Sequence, residues 1–141
     1  MKATPSATLL YRIAAVILVL FAAGHTFGFL SFTPPTPEGV AVRDAMNNVH
    51  FTAGGSTLSY GGFYRGFGLS ITVNTLFMAL LAWHLGTLAR TAPRSIGLVG
   101  WAFFVTQLAG LALSFKYFAA APAALSSVVA ICVGWAAMKV A

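Results

Sequence analysis

Acidic residues are almost missing from this chain: Glu38 and Asp44 are the only two among 141 residues. Charge of either sign is scarce, at 7% against about 25% in ordinary soluble domains. With 59% of residues hydrophobic, a globule of this length cannot hide its apolar surface from water, so lipid must cover part of it. Cysteine is reduced to Cys132, inside an apolar run, which excludes a disulfide within the chain and a CxxC metal knuckle.

Signature motifs are missing too. No HExxH, no histidine pair at i, i+4 and no acidic third ligand is present, so a metal site has no support. The glycine-rich stretch Gly54–Gly68 lacks GK[ST] and the dinucleotide spacing, and Ser56 and Ser59 do not sit in GxSxG. These residues point to no particular cofactor. The formal charge of +6 comes from basic residues scattered singly (Lys2, Arg12, Arg43, Arg65, Arg90, Arg94, Lys116 and Lys139). They form no basic stripe to follow a phosphate backbone, which argues against nucleic acid as a partner.

What is abundant is apolar run. The stretch Gly54–Arg90 organises the rest: a loop rich in glycine and tyrosine passes Arg65 and becomes a long apolar segment. At about 1.5 Å per residue, Gly66–Leu88 crosses a hydrocarbon core of roughly 30 Å. Further spans are expected at Leu9–Leu30, Ser95–Phe115 and Ala119–Met138. The first run continues past AAG into FGFL, so it reads as an uncleaved span rather than a signal peptide. The expectation is a single all-α integral membrane domain, a four-helix bundle.

Between the first two spans lies the one long polar connection, Ser31–Arg65. Its prolines stop the first helix. Thr36 then suits an N-cap, Pro37 a first helical position and Glu38 a first turn. Val42, Met46 and Val49 recur at helical spacing, so Pro37–His50 is expected as a short amphipathic helix on the membrane surface. An irregular loop, FTAGGSTLSYGGFY, is expected to follow.

Four spans put both termini on one side. Lys2, Arg12, Arg90, Arg94 and Lys139 fall on that side, against Arg43, Arg65 and Lys116 on the other, which favours cytoplasmic termini and an extracytoplasmic Ser31–Arg65 cap. Trp83, Trp101 and Trp135 come out towards the cytoplasmic face, and Arg12 reads as one more topology-setting charge. Gly24-x-x-x-Gly28 and Gly62-x-x-x-Gly66 offer close helix contacts. Asn74 and Gln107 come out at similar depth and form a candidate intramembrane pair.

Histidines carry the remaining chemistry. His84 lies most of a bilayer away from His25 and His50, which argues against a His25–His84 haem pair. His25, Asp44, His50, Tyr60, Tyr64 and Arg65 all come out at the outer level. Such a cluster can hold an anionic headgroup or a quinone carbonyl, with Arg65 as donor fork. It can equally cycle a proton through His25 or His50, the two candidate catalytic residues. The plainer reading is that His25 donates to a backbone carbonyl and Arg65 snorkels to phosphates.

The pieces AAGHTFG, AMNNVHF and GSTLSYGGFYRGFGL resemble a family of small, uncharacterised bacterial four-helix membrane proteins, over most of the chain. The resemblance implies a bacterial inner-membrane protein and brings no activity with it. Sterol-isomerase-like and DoxX-like bundles are similar in architecture only, and the acidic residues expected inside the former are missing. The functional expectation is a binding or accessory subunit with membrane lipids, a larger membrane complex or a second copy as partner. The alternative is an enzyme acting on a lipidic substrate.

Overall fold

The computed structural model describes residues 5–140. In chain order it contains α1 (Pro5–Ser31), α2 (Pro37–Asn48), β1 (His50–Ala53), β2 (Ser56–Ser59), α3 (Tyr60–Thr91), a 3-10 turn (Pro93–Ser95), α4 (Gly97–Tyr117) and α5 (Ala120–Val140). The class is all-α, and α1, α3, α4 and α5 are each long and apolar enough to cross a membrane, the pattern of a multi-pass membrane protein. Their outward residues are apolar where a soluble protein would be polar. Phe27 is 75% exposed and Leu98 is 84% exposed.

Two compact units share these helices. One is built from the described residues up to Phe21 and from Thr75 onward; the other is Ala22–Asn74. In the first, Tyr11, Leu85, Ile96, Val129 and Val133 are the largest fully buried side chains. Alanines fill much of the remaining contact, among them Ala7, Ala14, Ala82, Ala89 and Ala136. Small side chains let backbones approach, which is how helices attract one another where lipid is as apolar as leucine. Gly134 on α5 receives the Phe104 ring of α4, and a Cβ there would fall about 2.5 Å from the ring edge. Gly86 is approached less closely, with Arg12 Nε, the Thr8 carbonyl and Tyr11 Cβ 3.2, 3.3 and 3.4 Å from where a Cβ would be.

In the Ala22–Asn74 unit, α2 starts as its sequence predicts: Pro37 is in the first turn and the Gly39 N–H donates to Thr36 Oγ1 at 3.2 Å. It ends at Asn48, two residues short of expectation. The predicted irregular loop is instead a β-hairpin with Phe51 opposite Leu58 and Ala53 opposite Ser56. Gly54 and Gly55 turn it with φ of 56° and 79°. Two successive positive φ values are what a two-residue hairpin turn of matching twist demands, and glycine reaches them without steric cost.

The second span also begins earlier than the apolar run suggests. Ser59 Oγ accepts the Gly62 N–H at 3.0 Å, so it caps α3 and the helix begins at Tyr60 instead of Gly66. The Tyr60 N–H donates to the Val49 carbonyl at 3.3 Å, closing the hairpin onto the end of α2.

Candidate functional site

Helical spacing sets the geometry of the first candidate site. His25 and Phe29, one turn apart on α1, stack with ring centroids 5.7 Å apart and planes 11° off parallel. Phe29 then meets Tyr64 of α3 at 5.4 Å. Tyr64 and Gly68 are also one turn apart, and the Phe29 ring occupies the space a Gly68 side chain would need. With no side chain there, the His25 Nε2–H reaches the Gly68 carbonyl at 3.0 Å. Beside this contact the hydroxyls of Thr26 and Thr72 lie 2.8 Å apart. An ionisable ring inside a span is costly, and here its N–H donates to a main-chain carbonyl with a lone pair to spare.

A second aromatic series runs up the start of α3. Phe51 of β1 meets Tyr60 at 4.8 Å and the edge of Phe63 at 5.7 Å, and Phe63 meets Phe67 edge-on at 4.8 Å. These are the offset and edge-to-face arrangements that aromatic quadrupoles favour. Tyr60, Tyr64 and Arg65 are exposed on the same helical stretch.

The six residues expected at one site thus fall into distinct settings. His25 and Tyr64 are joined through Phe29, and Tyr60 is tied through Phe51 to the strand that begins at His50. Asp44 pairs with its exposed neighbour Arg43 at 3.5 Å. His50 Nδ1–H donates to the Asn48 carbonyl at 2.8 Å and the side chain is exposed. No group of three or more His, Cys, Asp or Glu side chains gathers among the described residues. Of the two mid-span amides, Asn74 Nδ2 donates to the Ser70 carbonyl at 2.9 Å, and Gln107 Nε2 donates to Met78 Sδ at 3.1 Å.

Arg12 has a part that residue counting alone did not reveal. Its Nη2 donates to Thr87 Oγ1 at 2.9 Å, and its guanidinium carbon lies 3.4 Å from the centroid of the Trp83 ring. Its Nη1, together with Thr8 Oγ1 and Tyr11 Oη, is buried without a hydrogen-bond partner among the described residues. The signal in the sequence was position. Arg90, Lys116 and Lys139 lie in the last turns of α3, α4 and α5, whereas Arg12 is about two turns into α1. Thr8 and Arg12, like Trp83 and Thr87, are spaced to share one helix face.

No protein-family model, curated protein or solved structure matches the chain, so these geometries are the whole basis for a functional reading.

Proposed function

We propose that this is a small polytopic membrane protein of binding or accessory type. It holds a lipid-like or quinone-like molecule against the aromatic face of the Ala22–Asn74 unit, or docks there on a larger membrane complex or a second copy. The observation that carries the reading is the ring series Tyr60–Phe51–Phe63–Phe67 with exposed Tyr64 and Arg65 alongside it. Amphipathic rings belong at the headgroup level of a bilayer, and a guanidinium offers a planar fork to a phosphate or carbonyl oxygen.

The enzymatic alternative requires His25 or His50 to exchange a proton with a lipidic substrate while Arg65 clamps an anion. His25 Nε2 and His50 Nδ1 each donate to a main-chain carbonyl, which favours the binding reading. His25 then positions Phe29 and Tyr64, while Asp44 and His50 contribute polarity at the rim. In this reading the membrane is a bacterial inner membrane, the termini are cytoplasmic and Ser31–Arg65 lies outside, as the distribution of basic residues favours.

Native mass spectrometry of protein purified in mild detergent tests it. A retained small molecule that is lost in both Arg65→Ala and Tyr64→Ala is the expected result. Retention unchanged in both variants, with no larger assembly copurifying, overturns it.

A further inference from the structure

Arg12 lies where a cation is expensive, and among the described residues no carboxylate pairs with it. Glu38 and Asp44 are the only acids, both on α2, and Asp44 is engaged with Arg43. Thr87 and Trp83 occupy one amino group and one face of the guanidinium, and Nη1 has no acceptor among the described residues. Thr8 Oγ1, one turn earlier on α1, is enclosed and unpartnered in the same way. Unmade hydrogen bonds from a charged donor inside protein are costly, so the arrangement calls for an anion.

Trp83 has a second neighbour. It closes one end of an apolar groove of about 410 Å³ between α1 and α3, lined also by Ala15, Val19, Leu20, Leu76 and Leu80. From Trp83 back to Leu76 the groove runs about 10 Å along α3, away from the charge. A cation lacking its anion, continuous with an apolar trough, matches the head and tail of a charged amphiphile.

We infer that the α1–α3 seam binds one anionic phospholipid. Its phosphodiester oxygens accept from Arg12 Nη1 and the Thr8 hydroxyl, and one acyl chain lies along the groove. Nη1 is covered in the structure, so headgroup binding requires the side chains around Arg12 to shift, the half-exposed Trp83 indole against its guanidinium among them. Phosphate and guanidinium then make charge-assisted bonds in a medium that strengthens them. The site uses none of the residues of the aromatic face discussed above.

The test uses the full chain in mild detergent, with Trp101→Phe and Trp135→Phe leaving Trp83 as the reporter of the three tryptophans. Titration with phosphatidylglycerol should shift Trp83 emission saturably, with one lipid retained per chain in native mass spectra. Arg12→Gln should weaken retention about fivefold, the worth of one basic residue near an anionic leaflet, and Arg12→Lys should restore most of it. Val19→Phe fills the groove with Arg12 intact and should weaken retention as well, so the inference survives a folding defect in Arg12→Gln. Arg65→Ala should leave the Trp83 response unchanged, which separates failure here from failure of the proposed function. Equal retention of phosphatidylcholine overturns the inference. So does a full response to inorganic phosphate alone, or undiminished retention in either Arg12→Gln or Val19→Phe.

Discussion

Gly68 accepts a hydrogen bond from His25 Nε2 at 3.0 Å while lending the space of its absent side chain to Phe29. One residue thereby satisfies an ionisable ring inside a span and seats the aromatic group that links α1 to Tyr64. The histidine nearest to looking catalytic in the sequence acts on its neighbours through the backbone.

That relationship predicts a specific coupling. Gly68→Val should lower stability in detergent by about 1–3 kcal/mol, because its side chain overpacks against the Phe29 ring. His25→Ala should cost less, about 0.6–2 kcal/mol, as expected for one intramembrane hydrogen bond. Thermal unfolding of Gly68→Val with and without Phe29→Ala should be non-additive, since removing the ring removes the clash. Additive losses would place the strain elsewhere.

Tyr11 is 0% exposed, and its hydroxyl has no partner among the described residues. Tyr11→Phe should therefore leave thermal stability unchanged or raise it by about 1 kcal/mol, since a buried hydroxyl without a partner has lost its hydration uncompensated. Gly100→Ala should destabilise, because its Cβ would come 2.8 Å from Ile96 Cγ2 and 3.0 Å from Tyr11 Oη. A clear loss of stability in Tyr11→Phe would mean that the hydroxyl bonds to an ordered water.

The hairpin depends on two left-handed glycines. Gly54→Ala and Gly55→Ala should each cost about 1–2 kcal/mol at the turn, because φ values of 56° and 79° are disfavoured for a residue with a Cβ. Hydrogen exchange should rise across 50–59 and leave α4 and α5 unchanged. Gly55→Asn should be milder, since asparagine tolerates that region better than alanine.

Sidedness is open to direct measurement. In a Cys132→Ala background, a single cysteine at exposed Thr57 should react with an impermeant maleimide in intact cells, and one at exposed Thr91 only after permeabilisation. The reverse pattern would put the termini outside and send the proposed aromatic site to the cytoplasm.

Much of the α2 segment was legible because its signals are local. Thr36, Pro37 and Glu38 act within one turn of backbone, and the helix they predict begins where they put it. The hairpin was hidden by its size: four-residue strands carry almost no periodicity, so only the adjacent Gly54 and Gly55 marked it. The start of α3 lies before the apolar run, and hydropathy is blind to the cap that sets it. Ser59 starts a helix through a hydrogen bond, six residues before the apolar run begins at Gly66.

The sequence alone determined that lipid is this chain's solvent and that four helices are long enough to meet it, because apolar length is a sum over neighbouring residues. Only the tertiary structure decided that Asp44 pairs with Arg43, that Gly68 serves both His25 and Phe29, and that Arg12 rests on Trp83 with a donor unused among the described residues. Those facts depend on which face of one helix meets which face of another. In lipid that choice falls to close packing and a few hydrogen bonds, which composition and spacing do not encode.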